Sequence, residues 1–242
     1  MPKAPVDSEA AFAQAAADAK RLVRISRTAA LATLDDSTGA PLATLVGVAS
    51  DFDGAPLFLM STLARHTRLL AADPRASLLL TEEPERGDPL NHPRLTLMGR
   101  IGRAGDPRVR TRYLQRNPKA KLYADFADFA FYRLGIESVH FNGGFGRADA
   151  LKPADILASR EGEAALVEAE PELVEWVNGL GEEAVARLAG RKPRGRQVWR
   201  AIGLDAEGLD LAAGGKAARA QFAAPARDVA SWRAALKAFA AS

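Results

Sequence analysis

Residues Leu57 to Leu80, LFLMSTLARHTRLLAADPRASLLL, constrain this chain more than any other stretch, because they impose an order of elements and a chemically distinct corner between them. Leu57 to Met60 is a short apolar run after Gly54-Ala55-Pro56, the pattern of a buried strand. Ser61 and Thr62 follow with hydroxyls where a helix would begin, and its first turn would carry Arg65, His66, Thr67 and Arg68. A helix start has free N–H groups and the positive end of the dipole, so hydroxyls and cations there favour a phosphate or carboxylate. Asp73-Pro74 stops the helix, since the residue before proline avoids helical angles, and Ala76 to Thr81 reads as a second buried strand. The bland reading stays open beside this one: Ser61 an ordinary N-cap and the arginines a solvated helix face.

The neighbouring segments extend the pattern. Ser8 to Ile25 has Phe12, Ala16, Leu22 and Ile25 at helical spacing and predicts an amphipathic opening helix. Ala29 to Leu34 and Pro41 to Ala49 read as strands joined by turn formers, as does the step from Asp51-Phe52-Asp53-Gly54 into Leu57. Three neighbouring antiparallel strands so early in the chain point to a barrel or sandwich. Arg94 to Arg103 is a further strand, and Pro107 to Asn117 a basic helix whose arginines are expected on a solvated face. Phe129 to Asn142 suits one bent strand or two, broken near Gly135, and runs into the glycine loop Gly143-Gly144-Phe145-Gly146 with Arg147 behind it.

Beyond Pro153 the character changes. Helical spacing runs from Lys152 to Ala189, with Pro171 expected to open a second helix after Glu170. Strand-like RQVWRAIGLD, LDLAA and ARAQF and a closing helix from Asp228 complete a small α+β unit. The expected division is residues 1–150 and residues 151–242. The 242-residue length suits either one large domain or two modest ones.

Several chemistries are disfavoured. There is no cysteine, hence no disulfide, thiolate nucleophile or cysteine-held metal. His66, His92 and His140 are scattered without zinc spacing, so no metal site is expected. Neither a GxGxxG turn, a GxxxxGK[ST] loop nor a GxSxG elbow occurs, and Asp88 and Asp128 receive no acid–base role. With Lys+Arg 33 against Asp+Glu 30 spread along the chain, nucleic acid is not an expected partner. No segment has the apolar core of a signal peptide or the length of a membrane span, so the expected setting is the cytoplasm.

Taken in order, ATLDDSTGAPLATLVGVASDFDGAPLFLMSTLARHTRLLAADPRASLLL (32–80), DPLNHPRLTLMGR (88–100), RTRYLQRNPKAKLYADFADFAFYRL (110–134) and NGGFGRA (142–148) resemble the FMN-binding split-barrel family related to pyridoxamine 5′-phosphate oxidase. The likeness is closer to its haem-utilisation branch, and GLDAEGLDL (203–211) is similar to the α+β unit appended there. The resemblance implies an antiparallel split β-barrel with flanking helices plus a small C-terminal α+β domain. It also implies a homodimer with two sites shared between subunits, and FMN acting on a small organic substrate in an oxidoreductase. It puts Ser61, Thr62, Arg65, His66 and Thr67 at the flavin phosphate, Thr44 beside the ring, Arg94 near the ring from the neighbouring subunit, and Arg147 on the substrate side. No general acid or base is assigned, and a deazaflavin in place of FMN stays open.

Two departures matter. The oxidase carries an Arg/Lys pair at the phosphate where this chain has Arg65-His66-Thr67, which weakens capture of a dianion. A haem-degrading relative holds iron through a histidine near its C-terminus, whereas residues 149–242 contain none here, so haem would need His66, His92, His140 or another ligand. The alternatives to FMN chemistry are therefore haem binding or breakdown without flavin, and a non-catalytic regulatory module.

Overall fold

The computed structural model describes residues 8–82, 88–144, 148–149, 151–158, 163–192 and 197–241. Helix α1 (Ser8–Ile25) buries Ala15, Ala19, Leu22 and Val23, one stripe at helical spacing. Small alanines let it lie close to the sheet, and Phe12, expected on that stripe, is exposed. Strands β1 (Thr28–Leu34) and β2 (Pro41–Gly47) form the expected hairpin. Its turn is tied by Asp35, whose carboxylate accepts from the N–H and hydroxyl groups of Ser37 and Thr38. The short β3 (Ala49–Ser50) pairs with β4 (Pro56–Ser61) across the Asp51–Gly54 turn.

Helix α2 (Arg65–Ala72) leads into β5 (Arg75–Thr81), and β6 (Arg94–Arg103) is followed by α3 (Pro107–Arg116), β7 (Phe129–Asn142) and β8 (Ala148–Asp149). The sheet order is β2-β1-β5-β6-β7-β4-β3, with β8 added to β7. The expectation that β4 continues the meander beside β2 therefore fails, because β4 pairs with β7 at the far side of the sheet. Val48 alone separates β2 from β3, the two ends of that order, so the sheet must curl until its edges approach. The result is an antiparallel split barrel. Leu31, Leu78, Leu95, Leu97, Leu134 and Phe141 fill its interior. Strand β4 is buried on both faces, with Phe58 and Met60 inward and Leu57 and Leu59 against Val109 and Tyr113 of α3.

Strand β7 is a single strand with an irregularity opposite Met98 and Gly99, where the chain needs no side chain. A Cβ on Gly99 would stand 1.9 Å from the Gly135 carbonyl oxygen. The expectation for α3 is half met. Pro107 and the Asp106 cap open it, and Arg108 and Arg110 face solvent, but Arg112 and Arg116 are buried. Arg112 pairs there with Glu170 and Arg116 bonds the carbonyls of Arg24 and Ser26, partners far away in sequence that helical periodicity does not reveal.

Helices α4 (Pro153–Ile156), α5 (Glu163–Asn178) and α6 (Glu182–Leu188) precede the meander β9 (Arg200–Asp205), β10 (Gly208–Ala213) and β11 (Lys216–Gln221), closed by α7 (Val229–Ala241). Pro171 does not open a helix but lies inside α5. Leu166, Leu173, Val174 and Val177 hold that helix against the meander, so packing overrides the lost backbone bond. Phe52, from the β3–β4 turn, is buried in the same cluster as Trp199, Leu204, Leu211 and Trp232. Buried ion pairs also join the helices of the barrel to the C-terminal elements: Arg24 of α1 to Asp205 of β9 at 2.9 Å and Arg112 of α3 to Glu170 of α5 at 2.6 Å. Among the described residues, no helix is long and apolar enough to cross a membrane.

Candidate functional site

The corner between β4 and α2 is built differently from the sequence expectation. Ser61 ends β4, yet α2 begins only at Arg65, and its N-cap is Ala64, which makes no side-chain capping bond. Ser61 is occupied elsewhere. Its hydroxyl donates to Asp128 Oδ2 at 2.5 Å and accepts from the Leu63 N–H at 3.1 Å, while the Thr62 N–H donates to the Asp128 carbonyl at 2.7 Å. These bonds tie the corner to the residue before β7.

The first turn of α2 meets the β1–β2 hairpin. Arg65, with its side chain 63% exposed, reaches Asp35 Oδ2 at 2.6 Å. Bonds from the Ser37 hydroxyl, Arg65 and the Thr38 hydroxyl hold the Asp35 carboxyl well below the usual carboxylate range. The Arg65 end of the ion pair is solvated, so the pair contributes little to stability, but it places a fixed negative charge beside Arg65.

His66 points to β2. Its Nδ1 and the Thr44 hydroxyl share a hydrogen bond of 3.2 Å, and Thr44 Oγ1 lies 3.5 Å from the Leu31 carbonyl. Burial pulls the imidazole below its ordinary value, so the ring is neutral at neutral pH. When Thr44 turns its proton to Leu31, Nδ1–H donates to Thr44 and Nε2 carries the lone pair. Thr67 is buried next in line, and its Oγ1 has no hydrogen-bond partner among the described residues.

Thus Arg65 and His66 meet the β1–β2 hairpin at Asp35 and Thr44, Thr67 is buried without joining them, and Ser61 and Thr62 bond Asp128. Arg94 does not join them within one chain. It pairs across the sheet with Thr81 and Asn142, at the end of the barrel opposite Asp35, and Nη1 donates to the Leu90 carbonyl at 2.8 Å. Arg147 lies outside the described residues. Where the glycine loop begins, Gly144 has φ 106° and approaches protein backbone: a Cβ there would stand 2.7 Å from the Asn91 carbonyl oxygen. The acids Asp35 and Asp128 are the residues that sequence reasoning missed. Asp35 read as a turn former, which it also is, and nothing local told that its second oxygen faces position 65.

Two cross-strand rows on the outer face of the barrel mix apolar with small polar side chains and a histidine. Leu45, Ala30, Leu79, Thr96 and His140 form one cross-strand row, and Ala43, Ala32, Ser77, Met98 and Ser138 the next. Neither row carries an Asp, Glu, Lys or Arg, and Leu45 is 76% exposed in the single chain. Rows of this kind can be covered by another sheet.

Comparison with known proteins adds the following. The family described as CREG, beta-barrel matches residues 10–157. The crystal structure of Atu2129 from Agrobacterium tumefaciens, a protein of unknown function, is 36% identical with a TM-score of 0.83, covering 98% of this chain and 100% of that one. A heme binding protein from Mycobacterium smegmatis is 28% identical with a TM-score of 0.56, covering 94% of this chain and 96% of that one. The chloroplastic heme oxygenase HOZ of Arabidopsis thaliana is 37% identical over 113 residues, 46% of this chain. The chain spans about a third (34%) of the length of that relative.

Proposed function

The chain belongs to the CREG β-barrel family, and from that premise we propose that it is a haem-binding protein that works as a homodimer. The observation that carries this reading is His66, a half-buried imidazole kept neutral by burial and oriented through Nδ1 by Thr44. A haem iron takes a neutral imidazole nitrogen whose other nitrogen is fixed by a hydrogen bond. The likeness to a heme binding protein along most of both chains supports the same ligand. His66 would hold the iron, and Arg65, Arg94 and Arg147 are the cations available to the propionates. When bound, the haem supplies the electron and oxygen chemistry, while this chain binds and orients it.

The second copy is proposed on the rows around Leu45, Leu79 and Met98, which would be covered sheet to sheet. That arrangement would also bring Arg94, from the far end of the barrel, to a site it cannot reach within its own chain. Sedimentation of the wild type as a dimer and of Leu45→Asp as a monomer is the expected result; a monomeric wild type defeats it.

The flavin reading rests on a different observation, a buried Thr67 whose Oγ1 has no hydrogen-bond partner among the described residues, two positions along the helix from an exposed Arg65. In it Ser61, Thr62, Arg65, His66 and Thr67 would hold an FMN phosphate, with Thr44, Arg94 and Arg147 toward ring and substrate. Asp35 on Arg65 and Asp128 on Ser61 oppose it, since each puts a carboxylate where a dianion must go. Absorption spectra decide between the two. A Soret band on haem titration, shifted or abolished in His66→Ala, supports haem; a flavin spectrum in the protein as isolated, with no change on adding haem, replaces that reading with the FMN-dependent oxidoreductase. A colourless protein that takes up neither favours the non-catalytic regulatory module.

A further inference from the structure

Away from His66, a cavity of about 10 Å³ lies between the barrel and the three-stranded meander, walled by Ser50, Arg112, Arg116, Gly203 and Asp210. That is room for about one water-sized particle. Arg116 is only 5% exposed. Its Nη2 donates to the carbonyls of Arg24 and Ser26, but Nη1 has no hydrogen-bond partner among the described residues. The other charged walls already have strong partners. Arg112 donates to Ser50, Glu170 and Leu204, and Asp210 accepts from Arg219 at 2.8 Å.

The electrostatics at this wall run short of negative charge. Burial pulls the Arg116 guanidinium down to about 10, and among its strongest charged neighbours Asp210 alone attracts it while Arg27, Arg24 and Arg219 repel it. A water in the cavity would bring no charge, whereas an anion would supply the compensation that the buried guanidinium lacks, and a buried cation without compensation is the costlier arrangement.

We propose that this cavity binds one small monovalent anion, chloride in size and charge, seated beside the Arg116 guanidinium between α3 and the meander. Sulfate and phosphate, with five heavy atoms each, exceed the volume. Because barrel and meander both wall the cavity, the bound ion acts as a joint between them, and stability is the property it controls.

Thermal unfolding of the full chain in sodium chloride, bromide, gluconate and sulfate at matched ionic strength tests this. Chloride and bromide are expected to raise Tm saturably, gluconate and sulfate not, and Arg116→Met is expected to lose the halide-dependent rise. Wild-type crystals soaked in bromide should show an anomalous peak in the cavity beside the Arg116 guanidinium, a measurement that stands even where the variant fails to fold. Equal Tm values in chloride and gluconate, or water density there without an anomalous signal, overturn the proposal.

Discussion

Replacing Arg112 by methionine tests how the barrel and the meander are held together. Arg112 lies on α3, 6% exposed, and donates to Glu170 Oε1 on α5 at 2.6 Å, to the Leu204 carbonyl on β9 at 3.1 Å and to the Ser50 carbonyl on β3 at 3.2 Å. Burial pulls its guanidinium down, but Glu170 and then Asp210 outweigh that and raise it overall, so the cation is firmly held. Methionine fills much of the same volume and removes the charge, which leaves Glu170, itself buried, as an ion without a counterion. Removing one partner of such a pair costs roughly 3–5 kcal/mol. For a chain of this size that is a fall in Tm of about 6–20 °C. The double variant Arg112→Met with Glu170→Leu removes the stranded charge and should recover part of the loss. It should not recover all of it, because the carbonyls of Ser50 and Leu204 and the Leu204 N–H still lose partners, at about 1–3 kcal/mol. Urea and thermal denaturation of both variants measure this. A single variant within about 1 kcal/mol of wild type, or a double variant as unstable as the single, refutes the reasoning.

Further outcomes are expected elsewhere. Gly99→Ala sets a Cβ against the Gly135 carbonyl, backbone that cannot turn aside, and should cost about 3 kcal/mol or more in urea unfolding, above the usual range for overpacking. His66 has a lowered folded-state pKa, so its neutral form is favoured by folding; the associated stability is whole above about pH 6.5 and is lost as pH falls through that value toward the folded one. A Tm series from pH 8 to 5 should show that slope in wild type and not in His66→Gln. Asp35 also has a lowered value, so its contribution is present above the ordinary carboxylate range and is lost as pH falls below about 4. In Asp35→Asn that acid dependence should shrink, and binding of inorganic pyrophosphate, followed by calorimetry, should tighten as Arg65 is released.

Where the physics is local, the sequence is a good guide. Asp73-Pro74 ends α2, Pro107 opens α3, and the run Leu57–Met60 is a buried strand because all four side chains have apolar neighbours on either face. The failures share one cause, a partner far away in the chain. Ser61 looks like a helix cap until Asp128, 67 positions later, claims its hydroxyl. Arg112 looks solvated until Glu170, 58 positions on, meets it in the interior. Pro171 looks like a helix start, yet the stripe Leu166–Leu173–Val177 pressed on the meander keeps α5 continuous through it. Likewise the place of β4 beside β7 is a matter of sheet order, which residue alternation does not encode.

The same distant partners bear on what the corner before α2 can hold. A phosphate arriving at Arg65 would have to displace or tolerate the Asp35 carboxylate 2.6 Å away, and one arriving at Ser61 meets Asp128 at 2.5 Å. Two like charges at that distance oppose ionisation of both, so each acid subtracts from dianion affinity the attraction that the arginine and hydroxyl add. On the proposed haem reading the iron–imidazole bond would fall to His66, which neither acid touches, whereas a propionate at Arg65 would meet Asp35 just as a phosphate does. The acids thus weaken the hold on any dianion at a corner where the order of residues alone resembles a phosphate site.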